Sequence, residues 1–272
     1  MNIVYLCRWY SSLLYKNMPQ ISAVVITFNE EKNIGRCIDS LQGVVDEIVV
    51  VDSFSTDKTE AICREKEVKF VQHPFEGHIE QKNYAITQAK FPIVLSLDAD
   101  EALDKTLREA ILEVKNDLQA DGYKMNRVTN YCGKWIWHGG WYPDTKLRLW
   151  DSKKGQWAGM NPHDEFVMEA DSKIVHLKGN LLHYSYDSVE GHIIQMNKFT
   201  SISAKSYYHR GKRSNLFLIL VKPLAAFVKT YFMKRGFLSG YSGFVIGIID
   251  AQATFLKYVK LREYQKQQRG NN

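Results

Sequence analysis

Two carboxylates separated by a single residue, Asp98 and Asp100, follow directly after the apolar run PIVLSL. Alternate side chains of an extended chain point to the same face, so both carboxylates can reach one ligand. Oxygen donors of this kind suit Mg²⁺ or Mn²⁺ bridging to a diphosphate. The alternative is a turn after a strand, in which these acids are solvated or favour the start of the next helix. The spacing therefore indicates a candidate metal and diphosphate site.

Polar residues also follow two earlier apolar runs. Thr27, Phe28 and Glu30 come after the first run, and Asp52 comes after EIVVV. A carboxylate in the position of Asp52 can accept hydrogen bonds from a base or a ribose, or it can form a local turn. Glu30 is equally consistent with an acid in the first turn of a helix. Asp57 fits a local turn or a cap for the next helix better, so we leave it out of the site.

The triplet His163-Asp164-Glu165 offers a candidate general base, since a carboxylate beside a histidine can take up a proton. The alternative for an isolated polar triplet is an ordinary surface loop. His183, in LLHYSY, could be a ligand, although a lone histidine more often satisfies its ring nitrogens within the protein.

The loop WIWHGGWY, residues 135–142, combines aromatic residues with a Gly-Gly pair. Trp137 and Trp141 could stack on the apolar faces of a sugar, or they could belong to the core.

Predicted strands and helices alternate, with short connections, from residue 21 to residue 118. This order predicts a parallel sheet with helices on both faces, and such sheets bind ligands at the carboxyl ends of their strands. Asn29 is a candidate cap for the first helix. The predicted strands are 21–27, 47–51, 68–72 and 92–97, and the predicted helices are 30–41, 57–66, 78–89 and 104–118.

Beyond residue 121 the pattern changes to short strands and then to helices. Helical periodicity runs from 189 to 263, with Pro223 and several glycines as expected breaks. The short strands are predicted at 122–130, 145–150, 165–170 and 180–184.

Composition excludes disordered and fibrous classes, because 45% of the 272 residues are apolar and only 24% are charged. The net charge of +6 is unevenly distributed. Residues 191–272 hold 14 basic and two acidic residues, a net charge of +12, and the preceding part is therefore acidic. The excess of basic residues in 191–272 indicates an anionic partner for this part of the chain. The basic residues alternate with aliphatic runs, which favours a membrane surface over nucleic acid.

Two apolar stretches, 216–221 and 244–249, lie within this basic part. Lys222, Lys229 and Asp250 make each a poor spanning helix, so we expect helices that lie in the membrane interface or, alternatively, pack on the catalytic domain as a lid. The first 18 residues lack the features of a secretory signal, and we expect a leader with little order at 1–18.

Four segments in order, VVITFNEEKNI, EIVVVDSFSTDKT, GHIEQKNYAI and VLSLDADE, resemble the family 2 glycosyltransferases of the GT-A fold over about residues 20–105. KWIWHGGWYPDTKLRLW, PHDEF, LLHYSY and GFLSGYSGFVIGIIDAQATFLKYVKL resemble the lipopolysaccharide-core β-glucosyltransferase subgroup, up to about residue 263. The resemblance implies an α/β fold with a mixed, mostly parallel sheet flanked by helices and a C-terminal helical region that associates with membranes.

The resemblance also implies roles for single residues. Asp164 occupies the position at which the subgroup has a glutamate base, and the adjacent Glu165 is the alternative base. The implied metal ligands of Mg²⁺ or Mn²⁺ are Asp100, Asp98 and His183. The implied nucleotide-sugar contacts are Thr27, Phe28, Glu30, Asp52, Lys82 and Asp98, and the implied acceptor contacts are Trp137, Trp141 and Arg148.

The implied activity is a metal-dependent, inverting hexosyl transfer from UDP-glucose to a hydroxyl of a lipid-linked saccharide of the lipopolysaccharide inner core. The expected location is the cytoplasmic face of the inner membrane, bound peripherally. The alternatives are a polyprenyl-phosphate acceptor and a non-catalytic protein that binds sugar nucleotides. The expected division is a leader (1–18), a GT-A domain (19–188, with halves 19–121 and 122–188) and a basic amphipathic helical region (189–272).

Overall fold

The structure is a computed structural model that describes residues 19–160 and 163–270. The expected leader at 1–18 lies outside the described residues. Within these ranges the chain forms two compact units. The first contains the residues up to Arg127 together with Thr145–His183, and the second contains Val128–Asp144 and the residues from Tyr184 onwards. The division of the chain expected from sequence stays a prediction.

The elements alternate along the first part of the chain as predicted. The strands are β1 (Ile21–Thr27), β2 (Glu47–Asp52), β3 (Lys69–Gln72), β4 (Ile93–Asp98), β5 (Glu101–Leu103), β6 (Gly122–Tyr131), β7 (Lys134–Ile136), β8 (Asp144–Asp151), β9 (Gly155–Met160), β10 (His163–Met168) and β11 (Ile174–Tyr186). The α-helices are α1 (Ile34–Leu41), α2 (Thr59–Glu65), α3 (His78–Thr87), α4 (Lys105–Asn116), α5 (Val189–His209), α6 (Leu216–Phe227) and α7 (Gly240–Gly270).

The main sheet has the strand order β3-β2-β1-β4-β8-β6-β11-β5, and β7 pairs with β6 at the side. β1 lies parallel to β2 and β4, and β2 lies parallel to β3. β8 joins β4 in the antiparallel direction, as does β5 with β11. The expected α/β fold with a mixed, mostly parallel sheet is confirmed.

Alternation along β1 explains why helices cover both faces of the parallel part. Ile21, Ala23 and Val25 are buried in one core with residues of α1 and α4, whereas Val24 is buried in a second core with Ala85 of α3. A strand that is apolar at nearly every position must be covered on both sides.

The sheet of the first unit curls, as the link between β4 and β5 requires. Four strand-to-strand steps separate β4 from β5, which would be about 19 Å in a flat sheet. Only Ala99 and Asp100 connect the two strands, and such a link spans at most about 11 Å. The sheet must therefore bend to bring β5 back towards β4.

A separate hairpin, β9–β10, packs on α3 and β8. Trp157, Phe166 and Trp150 form its core, with the rings of Trp150 and Phe166 stacked at 3.8 Å. Asn83 of α3 exchanges two hydrogen bonds with the backbone of Trp157, at 2.9 and 3.0 Å. These bonds fix the hairpin against the helix.

In the second unit, Tyr131, Ile136 and Ile246 form a small core. A π-helical turn, Val228–Met233, and a 3₁₀ turn, Gly236–Ser239, connect α6 to α7. The segment Leu216–Met233 is the one stretch among the described residues that is long and apolar enough to cross a membrane by length and composition, and only 6% of it is buried.

Several local expectations are wrong. α6 continues through Pro223, because packing against α7 outweighs the loss of one backbone donor. Asn29 does not cap α1; it adopts a left-handed backbone, and its Oδ1 accepts a hydrogen bond from the Thr56 amide. The short strands β5, β7 and β9 were not expected, since three to six residues carry little periodicity.

Candidate active site

The carboxyl ends of three parallel strands bring the first candidate residues to one edge of the sheet. The register places Thr27 opposite Asp52 and Ile26 opposite Asp98. Residues separated by up to 71 positions in sequence thus meet where the parallel strands end, as the fold class predicts.

Asp98 is held by two cations. Its Oδ1 lies 3.2 Å from Lys82 Nζ, and its Oδ2 accepts a hydrogen bond from Arg148 at 3.0 Å. Burial alone would raise the pKa of Asp98, but the neighbouring cations, Lys82 foremost, hold that pKa well below its usual range. Asp98 is therefore a permanent anion at neutral pH.

Asp100 faces His183. Its Oδ2 lies 3.1 Å from His183 Nε2. The pairing of β5 with β11 causes this approach, because His183 lies opposite Glu101, the residue after Asp100. Two of the three expected metal ligands thus lie side by side.

Glu101 is a site residue that the sequence analysis missed. Its side chain is fully buried and accepts hydrogen bonds from Arg148 at 2.8 Å, from Arg127 at 3.0 Å and from the Asp98 amide at 3.0 Å. Glu101 thereby holds both the Arg148 side chain and the backbone of Asp98 in place. Local sequence gives little signal for Glu101, because its burial depends on arginines that other strands supply. The sequence around Arg127 gives none.

Lys82 connects the sheet edge to the hairpin. The ammonium, buried at 4% exposure, lies 2.7 Å from Asp164 Oδ2 and 4.5 Å from the centre of the Trp157 ring. Asn83, the next residue of α3, holds the hairpin in this position. The packing of the hairpin on α3 therefore brings together Lys82 and Asp164, which are 82 residues apart in sequence.

The two candidate bases point to different sides of β10. Consecutive residues of a strand face opposite ways. Asp164 contacts Lys82, whereas Glu165 is exposed. Only Asp164 belongs to the cluster formed by Lys82 and Asp98.

Arg148 is buried at 3% exposure within this cluster. β8 runs antiparallel to β4 with Leu149 opposite Leu95, so Arg148 lies nearer the carboxyl end of β4. Its Nε and one terminal nitrogen have no hydrogen-bond partner among the described residues. Its expected contact with the acceptor stays a prediction.

The expected nucleotide contacts have varied surroundings. The buried Thr27 hydroxyl has no partner among the described residues, and Phe28 is 56% exposed. Glu30 accepts a hydrogen bond from the Asn33 side chain at 2.8 Å. Asp52 is fully buried and accepts hydrogen bonds from the amide and hydroxyl of Ser55. Their roles towards a nucleotide stay predictions.

Asp57 forms a local turn ahead of α2, which is one of the two local roles expected from sequence. Its two carboxylate oxygens accept hydrogen bonds from the amides of Thr59 at 2.9 Å and Glu31 at 3.0 Å.

The two tryptophans expected to contact the acceptor, Trp137 and Trp141, differ in their surroundings within the second unit. Trp141 is half-buried and contacts the rings of Tyr131, Tyr186 and His192. Trp137 is 43% exposed and touches the ring of Tyr142. Of these two, Trp137 presents the larger aromatic surface to solvent.

The donor set fits a divalent cation bound together with a ligand. No group of three or more metal-binding side chains occurs among residues 19–160 and 163–270. Asp100 and His183 provide one oxygen and one nitrogen donor, while Asp98 is already neutralised by Lys82 and Arg148. Mg²⁺ is commonly held by one or two carboxylates, with substrate phosphates and water completing its shell.

Comparison with known proteins identifies the family of this chain. The model of glycosyl transferase family 2 matches residues 22–169. LpsC of Rhizobium meliloti, described as a lipopolysaccharide core biosynthesis glycosyltransferase, is 31% identical over 259 residues, covering 90% of this chain and 92% of that protein. An uncharacterized glycosyltransferase of Rickettsia bellii is 34% identical over 271 residues, covering 94% and 90% of the two chains. TarS of S. aureus, residues 1–349, aligns over 91% of both chains with 17% identity and a TM-score of 0.44.

The chain belongs to the glycosyltransferase family 2 and is an enzyme of that class.

Proposed function

We propose that this enzyme transfers glucose from UDP-glucose to a hydroxyl of a lipid-linked saccharide of the lipopolysaccharide inner core, with inversion at the anomeric carbon. The observation that carries the proposal is the cluster at the sheet edge, where Asp100 and His183 lie 3.1 Å apart beside an Asp98 bound by two cations. The similarity to LpsC supports the acceptor class. The resemblance to the β-glucosyltransferase subgroup supports the donor.

Asp100 and His183 would hold Mg²⁺ or Mn²⁺. When bound, the cation neutralises the charge that grows on the leaving diphosphate. The buried cations Lys82 and Arg148 add positive charge that is fixed in place before the substrate arrives. Thr27, Phe28, Glu30 and Asp52 would line the nucleoside.

Asp164 would act as the general base. It would accept the proton of the acceptor hydroxyl as that oxygen attacks the anomeric carbon. Its place in the cluster with Lys82 and Asp98 supports this role, and the position of Glu165 on the other side of the strand argues against the alternative. Trp137 would contact the acceptor saccharide, with Trp141 supporting the loop from within.

We further propose that the enzyme binds peripherally to the cytoplasmic face of the inner membrane. Lys222, Lys229 and Pro223 interrupt the apolar segment Leu216–Met233, which supports a helix lying in the interface over one that spans.

The test is a panel of nucleotide sugars with the purified full chain, in Mg²⁺ or Mn²⁺, with and without a core-lipid acceptor. We expect acceptor-dependent release of UDP from UDP-glucose and loss of this turnover in Asp100→Asn, with thermal unfolding unchanged. Asp39→Asn, which removes an exposed acid, is the matched control. Full turnover of Asp100→Asn, or release of UDP without transfer to any saccharide acceptor, would overturn the proposal.

A further inference from the structure

We infer that one exposed turn, residues 232–241, inserts into the interfacial layer of an anionic lipid bilayer and carries the loop of Trp137 to that surface. The inference rests on the proposed function, since it names the element through which the enzyme meets a lipid-linked acceptor. We call residues 232–241 the insertion turn; it comprises the end of the connection from α6 and the first two residues of α7.

The insertion turn exposes five large apolar or aromatic side chains to solvent. Soluble proteins rarely expose large side chains in such density without a partner. The exposed side chains of the turn are Phe232 (54%), Met233 (75%), Phe237 (46%), Leu238 (54%) and Tyr241 (80%).

The charges around this surface fit an anionic leaflet. Lys234 and Arg235 lie within the turn and are exposed, as are Lys222 and Lys229 on the preceding helical segment. No Asp or Glu occurs between Gly191 and Ile249. Long basic side chains can leave their apolar stems in the interface while their charged ends reach lipid phosphates.

The turn is held rigidly against the start of α7. A Cβ atom on Gly243 would lie 1.9 Å from the carbonyl oxygen of Gly236, so the two backbones are in direct contact. Gly240 has a φ of 59° and a ψ of −138°, a conformation that favours glycine. A preformed turn loses little conformational entropy when it inserts.

The aromatic loop is bound to the same turn, within the second unit. The Gly139 amide donates a hydrogen bond to the Lys234 carbonyl at 2.9 Å, and Lys134 Nζ donates to the Ser239 carbonyl at 2.8 Å. A Cβ atom on Gly140 would lie 2.4 Å from Lys234 Nζ. The loop therefore moves with the insertion turn.

Trp137 is suited to the interface. It is 43% exposed and packs edge-on against Tyr142 at 4.8 Å. Tryptophan and tyrosine prefer the headgroup level, because each combines an apolar ring with a polar group. Lipid-linked saccharides begin at this depth, so Trp137 would meet the acceptor there.

The first measurement is binding of the full chain to vesicles of phosphatidylglycerol and phosphatidylcholine, without sugar nucleotide. We expect binding that weakens only partly in high salt, since apolar insertion is not screened. Phe232→Ser combined with Met233→Ser should lower the partition coefficient roughly tenfold or more. The control, Leu112→Ser with Leu118→Ser, removes two exposed apolar residues of the first unit and should bind normally.

The second measurement is quenching of tryptophan fluorescence by lipids brominated near the headgroup. We expect quenching in the wild type that disappears in Trp137→Phe. Lys134→Met removes the hydrogen bond to the Ser239 carbonyl and should reduce this quenching. The control is Lys124→Met, which removes an exposed lysine elsewhere, and the two variants should bind vesicles equally.

Three outcomes would overturn the inference: no binding to anionic vesicles at low salt, unchanged binding of the Phe232/Met233 variant, or equal quenching with and without Trp137. Resistance to extraction by alkaline carbonate would replace insertion at the interface by a spanning segment. Self-association that is lost in the Phe232/Met233 variant, without vesicle binding, would assign the surface to a second copy. None of these readouts uses sugar transfer, so they fail independently of the proposed transferase activity.

Discussion

Lys82 is shared by two carboxylates, Asp98 of the sheet and Asp164 of the hairpin. Its ammonium is buried and also lies over the Trp157 ring, so it has little freedom to leave this position while both acids are present. One side chain of α3 thus organises the groups for which we propose opposite tasks, leaving-group stabilisation and proton removal.

The base assignment predicts different effects for two neighbouring substitutions. Asp164→Asn should reduce acceptor-dependent turnover by roughly 10²–10⁴-fold, the usual contribution of a positioned general base. Glu165→Gln, the matched control on the exposed side of the strand, should have a small effect. Binding of UDP-glucose, measured by calorimetry, should persist in both variants. An inactive Glu165→Gln with a nearly normal Asp164→Asn would reverse the assignment.

The position of a single site residue can be predicted from sequence when that residue directly follows a strand. Asp52, Asp98 and Asp100 could be placed at the edge of the sheet because the apolar runs before them are long and regular. Arg127 could not be found, since nothing near it in sequence indicates that its side chain reaches Glu101.

Among the elements, β5 has the largest effect for its size. Its three residues place Glu101 between two arginines and pair with β11 so that His183 lies opposite Glu101. The strand was not predicted, because its first residue is charged and its apolar part is only two residues long. Burial of Glu101 depends on partners supplied by β6 and β8, which local sequence does not reveal.

Glu101→Gln should therefore destabilise the fold as well as impair the site. Removing one charge from this buried network leaves Arg127 and Arg148 poorly compensated and costs roughly 3–5 kcal/mol. Urea unfolding followed by circular dichroism measures the change. Glu113→Gln, an exposed acid on α4, is the control and should stay within about 0.5 kcal/mol. A change for Glu101→Gln no larger than that of the control would contradict the network's importance.

For the whole molecule, stability should depend on pH through one buried histidine of the second unit. Burial lowers the pKa of His192 from 6.5 to about 4, and its Nδ1 lies 3.2 Å from the Tyr131 hydroxyl. As pH falls below 6.5, the unfolded chain binds a proton that the folded chain does not, so stability is lost between about pH 6.5 and 4.

The loss between pH 7 and pH 5 should be roughly 2 kcal/mol. His192→Phe should flatten this part of the stability curve, whatever its effect on absolute stability, and His209→Gln, an exposed histidine, should leave it unchanged. Chemical unfolding at a series of pH values gives the slopes. An identical slope in wild type and His192→Phe would exclude His192 as the cause.

The two residues that connect β4 to β5 set the circumference of the curled sheet. Most surface turns tolerate an inserted residue, because the strands on either side keep their places. Here the link closes a ring of strands, so an inserted residue would lengthen that ring. Either β5 would shift its register along β11, or the sheet would curl less. The curl of the sheet therefore fixes the spacing of Asp98, Asp100 and Glu101 independently of their chemical roles. Among related sequences, we expect insertions and deletions in the other turns of this unit more often than in this link.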